Sequence, residues 1–196
     1  MLNHKLDTET AMLSLEQTLW HAAWNGDLML IKQSLEAGAQ INLPSINKAR
    51  PFEAAAYNGQ AGACVLLLDV GADPNAFAEA TGESVLHQVI TKSSNLRRTQ
   101  IVKALIAAGA DVTRRTSPQV RTFCFARDVR TRGEMPLHRA AAYGDAEMIE
   151  SWIRAGADKS AKDIHGESAL TWASWHLRDH AILKLLLYVE FEGSIP

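Results

Sequence analysis

Alanine-rich apolar segments alternate along the chain with more bulky apolar segments, and a glycine separates the two or ends the second. The first kind reads TLWHAAWNG from Thr18 to Gly26, PFEAAAYNG from Pro51 to Gly59, SVLHQVITK from Ser84 to Lys92, MPLHRAAAYG from Met135 to Gly144 and SALTWASWH from Ser168 to His176. Alanine favours helix and leaves a thin face that a neighbour can approach closely. The second kind carries apolar residues at helical spacing, as in Val65, Leu66, Leu67 and Leu68 or Ile101, Val102, Leu105 and Ile106. Each pair of segments therefore predicts two short antiparallel helices and a turn. The glycine after the second helix, at Gly38, Gly71, Gly109 and Gly156, suits the left-handed position where such a helix stops.

The pairs repeat with a period. Gly26 to Gly38, Gly59 to Gly71 and Gly144 to Gly156 are each 12 residues apart, and Gly38 to Gly71 is 33. The phrases LEAGAQIN, LLDVGADPN, LIAAGADVT and WIRAGADKS close successive units. Neither helix of a unit can bury its apolar face alone, so the units must stack. The 33-residue period, the phrase Met135-Pro136-Leu137-His138 and the Gly-Ala-Asp endings make the chain resemble the ankyrin-repeat family over about residues 14 to 190. The resemblance implies an all-α solenoid of stacked helix-turn-helix units joined by hairpin loops. His87 and His138 stand at the family's histidine position, implying a structural role tying neighbouring hairpins together, whereas Trp20, Glu53 and Thr171 occupy it in the other units.

The expected organisation is a single domain, 1–196, of about five repeats at 14–42, 43–75, 76–113, 131–160 and 161–192. The first lacks a complete hairpin and would cap the N-terminal end. The last helix, AILKLLLYVEF, reads as apolar on nearly all sides, which a terminal repeat should avoid. That feature motivates a monomer that forms at most a weak homodimer through its C-terminal repeat.

Two insertions break the period. His87 to Gly109 is 22 residues where His138 to Gly156 is 18, predicting a lengthened turn between the helices of the third unit. Gly109 to Met135 is 26 residues against 12 from Gly38 to Arg50, and an Arg-rich insertion over 114–130 accounts for the difference. The segment from Arg114 to Arg132 holds six arginines and one acid, Asp128, a local charge of +5 that leaves −7 for the rest of a chain whose formal charge is −2. Interleaved with Val120, Phe123, Phe125 and Val129, these arginines predict an amphipathic hairpin, a basic finger on an acidic body. Arg114-Arg115-Thr116-Ser117-Pro118 also resembles a kinase site, a place for charge switching.

Composition otherwise bounds the answer from outside. With 47% apolar and 21% charged residues the 196-residue chain should build a packed core. No run of eighteen apolar residues predicts a membrane span, and the polar, acidic N-terminus does not read as a cleaved secretory signal. Two cysteines, Cys64 and Cys124, form no redox or metal motif, so a reducing, cytoplasmic location is expected, with host cytosol as the alternative for a secreted effector.

The resemblance implies that partners lie on a concave face lined by hairpin tips and first helices. Positions exposed after the paired small residues are then Trp24, Tyr57, Thr91, Ala142 and Trp175, followed by Asn25, Asn58, Lys92, Tyr143 and His176. Aromatic side chains recurring in register suggest a binding face, since Trp and Tyr dominate interface hot spots. Hairpin tips would add Ile46, Asn47, Ala49, Thr81, Glu83, Thr131, Arg132, Glu134, Ile164, His165 and Glu167, and the finger Arg121, Phe123, Phe125 and Arg127. Their mixed charge favours a protein partner over nucleic acid, whose footprint is a continuous basic stripe. The leading expectation is a non-catalytic interaction module, with an inhibitor or immunity/effector-type regulator that caps an enzyme as the alternative, and nucleic-acid association through the finger behind both. No catalytic residue, cofactor, metal or membrane partner is expected. His176 and His180 share zinc-like spacing, but a turn between helices should separate them.

Overall fold

A computed structural model describes residues 15–45, 49–90, 96–122 and 130–187. It contains helices α1 (15–25), α2 (Leu28–Glu36), α3 (Pro51–Tyr57), α4 (Ala61–Asp69), α5 (Val85–Gln88), α6 (Leu96–Ala107), α7 (Pro136–Tyr143), α8 (Ala146–Arg154), α9 (Ala169–Trp175) and α10 (His180–Leu186). Among the described residues the only β-type pairings are isolated bridges at hairpins: Phe77 with Ser84, Arg121 with Arg130, and Lys162 with Ser168.

The helices form two layers. In the inner layer α3 contacts α5, α5 contacts α7 and α7 contacts α9; in the outer layer α2, α4, α6, α8 and α10 follow one another. Alanines set the inner spacing: Ala22, Ala23, Ala55, Ala56, Ala140, Ala141 and Ala173 are all buried, with Ile31, Leu67, Ile101, Leu105, Ile149, Trp152 and Ile182 filling the layer behind. The protein is thus an all-α repeat solenoid.

Local signals explain the helix boundaries. Asp27, Asp145 and Asp179 start α2, α8 and α10, accepting from the backbone N–H of Leu30, Met148 and Ile182 at 3.0, 2.7 and 2.9 Å. Gly38, Gly71, Gly109 and Gly156 end the outer helices with φ of 101, 100, 83 and 89°, the left-handed stop that the spacing predicts.

Two expectations are narrowed. Part of the insertion in the third unit joins α6, which has 12 residues where α2, α4 and α8 have 9, while residues 91–95 lie outside the described set. Of the last apolar segment, α10 spans His180–Leu186, buries Ile182 and Leu186 and leaves His180, Ala181 and Lys184 exposed, while residues 188–191 lie outside the described residues. Lys159 Nζ closes its end by donating to the carbonyl of Leu187 at 2.9 Å. Among the described residues no helix is long and apolar enough to cross a membrane.

Candidate functional site

The aromatic residues singled out in the sequence stand where inner helices end. Trp24 stacks on Trp20 at 5.3 Å between ring centroids and on Tyr57 at 5.9 Å. Tyr143 meets His176 edge-to-face at 4.8 Å. Trp24, Tyr57, Tyr143 and His176 are half-buried, Asn25 and Asn58 are exposed, and Trp175 keeps 49% of its surface. Thr91 and Lys92 of the third unit lie outside the described residues.

Polar side chains close the carbonyl ends of these helices from the next unit. Asn58 Nδ2 donates to the carbonyl of Trp24 at 2.7 Å, Arg98 Nη2 to that of Tyr57 at 3.2 Å, and Arg178 Nη2 to that of Gly144 at 2.5 Å. The asparagine at position 58 thus ties two units together besides facing solvent. Beside Arg178, Ala142, Tyr143 and His176 line an open cleft of about 390 Å³.

The histidines act as the family resemblance implies. His87 Nδ1 accepts from the Ser84 N–H at 3.2 Å, which fixes the proton on Nε2, and Nε2 donates to the carbonyl of Glu134 at 3.2 Å. His138 repeats this with Met135 N–H at 3.3 Å and the carbonyl of Glu167 at 3.2 Å. Burial holds both imidazoles below the ordinary histidine pKa, with the Arg139 charge adding to the effect at His87. In the second unit Glu53 takes this place, accepting from Arg50 N–H at 2.8 Å and from Gln88 Nε2 at 3.4 Å.

Several hairpin residues expected at the surface are inside. Thr81, Glu83, Thr131 and Glu134 are buried, the last two at 1% exposure. Their anchor is Arg139, fully buried in the middle of α7, whose Nη2 lies 2.7 Å from Glu83 Oε1 and 2.6 Å from Glu134 Oε1. Thr122 Oγ1 donates to Glu83 at 2.6 Å, Thr116 Oγ1 to Glu134 at 2.6 Å, and the Arg132 N–H to Glu134 at 2.6 Å. Burial pushes the Glu134 carboxyl up, but Arg139 and the Thr116 hydroxyl outweigh it and hold the group well below the usual carboxylate range. Two carboxylates and one guanidinium leave a buried charge of −1, made tolerable by hydroxyl and amide donors.

The insertion is correspondingly a bound hairpin neck. Gln119 N–H donates to Thr131 O at 2.7 Å and Thr131 N–H to Val120 O at 2.8 Å, with Arg121 opposite Arg130. Arg114 lies over the Phe77 ring at 3.5 Å, Arg115 donates to the carbonyls of Gly133 and Lys162 at 2.9 and 2.7 Å, and Arg130 to that of Gln119 at 2.9 Å. Arg132 pairs with the buried Asp163 at 3.2 Å and lies 5.2 Å from the centre of the Trp175 ring. The backbone packs so closely here that a Cβ on Gly82 would sit 2.7 Å from Ser117 N. His165 is exposed, whereas Phe123, Phe125 and Arg127 lie outside the described residues. Thr116, the threonine of the kinase-like motif, is buried against Glu134.

Cys64 is a core thiol whose pKa burial pushes up to about 12. Among the described residues no group of three potential ligands is placed to hold a metal.

Residues 19–116 match the family model of ankyrin repeats in three copies, half of the chain, and the chain belongs to the ankyrin-repeat family. Such repeats generally mediate protein–protein interactions, and the family is typically non-catalytic. The chain is similar to an ankyrin repeat domain-containing protein, SAT10, of Stachybotrys chartarum, with 23% identity over 181 residues, 85% of this chain and 9% of the relative. It is also similar to an L-asparaginase of Dirofilaria immitis, with 27% identity over 154 residues, 79% of this chain and 23% of the relative. It therefore spans less than a quarter of either relative's length.

Proposed function

We propose that the chain binds a partner protein along the edge formed by the ends of its inner helices, with Trp24, Tyr57, Tyr143, Trp175 and His176 as the contact residues. The observation that carries this reading is that rings at matched positions keep solvent-facing surface, although Trp24, Tyr57, Tyr143 and His176 also have a ring to pack on and Trp175 lies against Arg132. Rigid aromatic area loses little entropy on binding, which suits recognition of a partner. Asn25 and His165, both exposed, widen the contact surface.

Catalysis has little support in the chemistry. Cys64, His87, Glu134 and His138, whose protonation is perturbed, are all buried, and the last three are held in hydrogen bonds to neighbouring hairpins, so burial within the fold accounts for their shifts. The similarity to an L-asparaginase covers 23% of that protein, and we carry no amidase activity over from it.

The test is affinity capture from cell lysate, comparing wild type with a Trp24→Ala, Tyr57→Ala, Trp175→Ala variant whose fold is verified by circular dichroism. Loss of a specifically retained protein from the folded variant is the expected result. Equal retention would show that these rings serve packing alone.

A further inference from the structure

We infer that the hairpin neck and the end of α9 together form a docking surface for an acidic segment of a partner protein that carries a large apolar side chain. The segment would seat on Trp175 and Ile164 and be flanked by Arg115, Arg121, Arg130 and Lys162. This rests on the reading of the chain as a protein-binding module and names the chemistry of one partner.

The backbone places these residues on one face. Thr131 is buried while Arg130 is exposed and Arg132 half-buried, so in this extended stretch Arg130 and Arg132 point to the same side. Arg121 is the bridge partner of Arg130, and in an antiparallel pair directly opposed side chains share a face. Likewise Asp163 points inward between exposed Lys162 and Ile164, and the Ile164 N–H donates to Arg132 O at 2.9 Å. Arg132 itself lies against Trp175. Two apolar side chains, Trp175 and Ile164, each 49% exposed, thus neighbour Arg132, the first through its ring and the second through the backbone.

The charges around this pair do not cancel. Among the described residues, Glu83, Glu134 and Asp163 are buried and committed to Arg139, Arg132 and threonine hydroxyls, and exposed Asp158 answers Arg115 and Glu167 is half-buried, while Arg121, Arg130 and Lys162 are exposed. A region with both signs in its sequence therefore presents mainly the positive one. Two arginines directly across a bridge repel each other, a local cost that an anionic group placed between them would relieve. The apolar centre selects against a polyphosphate, which would gain nothing from Trp175 and Ile164, and the −7 carried by the rest of the chain would repel an extended nucleic acid.

The test uses fluorescence anisotropy with a dye-labelled glutamate-rich peptide holding a central Leu-Phe pair. Controls are the same peptide with serines for Leu-Phe, a lysine-rich counterpart, and a single-stranded oligodeoxynucleotide. The Glu-rich apolar peptide should bind wild type, more weakly at about 300 mM than at about 50 mM salt. Affinity should fall roughly tenfold or more for Arg121→Glu with Arg130→Glu, and for Trp175→Ala. Arg121→Gln with Arg130→Gln, a milder change at exposed positions, should give an intermediate loss in a protein whose circular dichroism is unchanged. No binding of this peptide, binding unaffected by the arginine variants, or equal or better binding of the serine peptide or the oligodeoxynucleotide would overturn the inference. If a captured partner depends on Trp24 and Tyr57 while the peptide does not bind, this surface fails and the aromatic edge stands. If the peptide depends on Arg121 and Arg130 while captured partners ignore the aromatic variants, the aromatic edge fails and this surface stands.

Discussion

The first three units and the junction around the fourth are joined by different chemistry. Between the early units a neutral ladder runs along the turns: Asn42 Nδ2 donates to the carbonyl of Gly71 and its Oδ1 accepts from Asp73 N–H, and Asn75 does the same with Gly109 and Asp111, at 3.1, 3.0, 3.3 and 2.7 Å. The ladder ends at Thr113, whose hydroxyl turns back to Asp111 of its own turn. At that point the insertion begins, and the next junction is carried by Arg139 held between Glu83 and Glu134, together with Thr99 donating to Asp145 at 2.6 Å. A short side chain can bridge successive turns only where the period is kept. Where the insertion breaks the period, the contact shifts inward to a long side chain that reaches across two hairpins. A neutral ladder tolerates loss of one rung, whereas a buried ionic cluster fails as a unit.

The largest effect is therefore expected at Arg139. Arg139→Ala leaves two carboxylates buried without a counter-charge and should cost about 3 to 5 kcal/mol in urea denaturation. Combining Glu83→Gln, Glu134→Gln and Arg139→Met should recover most of that loss, because the penalty arises from uncompensated charge. A triple variant no more stable than Arg139→Ala would mean that uncompensated charge is not the source of the loss.

This cluster also marks the limit of what the sequence made legible. The period of 33, the glycine stops and the roles of His87 and His138 follow from spacing and motif, because helical repeats are local and each unit repeats the same solution. Arg139 was missed because one arginine inside Leu-His-Arg-Ala-Ala looks like the polar side of a short helix. Glu83 and Glu134 read as hairpin-tip acids because the family resemblance puts these positions at the tips. Their burial depends on partners 39 and 5 residues away, Thr122 and Arg139, which no periodicity reveals. The insertion is legible only in outline: six arginines predict a basic finger, and of these Arg114, Arg115, Arg130 and Arg132 each find a ring, a carbonyl or a carboxylate within reach, while Arg127 lies outside the described residues.

Acidification should separate the two regions next. His87 and His138 are neutral in the fold with pKa values below the ordinary 6.5, so below that pH the unfolded chain binds protons that the folded chain refuses. Stability then falls as pH drops below about 6.5, by up to about 1.4 kcal/mol per pH unit for each proton. Glu134 acts in the same direction lower down: its carboxyl lies below the ordinary value of 4.5, so its contribution is present above that pH and is lost on further acidification. In hydrogen exchange at pH 5 against pH 7, corrected for intrinsic rates, amides of α5 and α7 should lose protection while those of α3 and α4 lose less. Uniform loss would mean that the solenoid opens as one unit. The neutral ladder should respond more weakly to its own disruption, Asn75→Ala costing about 0.5 to 1.5 kcal/mol with little dependence on pH.

The smallest expected effect has the opposite sign. Arg121 and Arg130 face each other across an antiparallel bridge on the exposed side of the neck, and like charges so placed are destabilising. Arg121→Ser should therefore raise stability by about 0.2 to 1 kcal/mol, readable as a small increase in thermal midpoint that shrinks with added salt. A gain confined to low salt would locate an unfavourable charge pair at the neck, and loss of acidic-peptide binding in the same variant would link that strain to recognition. A stability loss instead would mean that Arg121 supports the neck through its aliphatic stem, as long basic side chains can. The neck would then belong with the buried cluster beneath it as a structural device, in contrast to the aromatic edge of the early units.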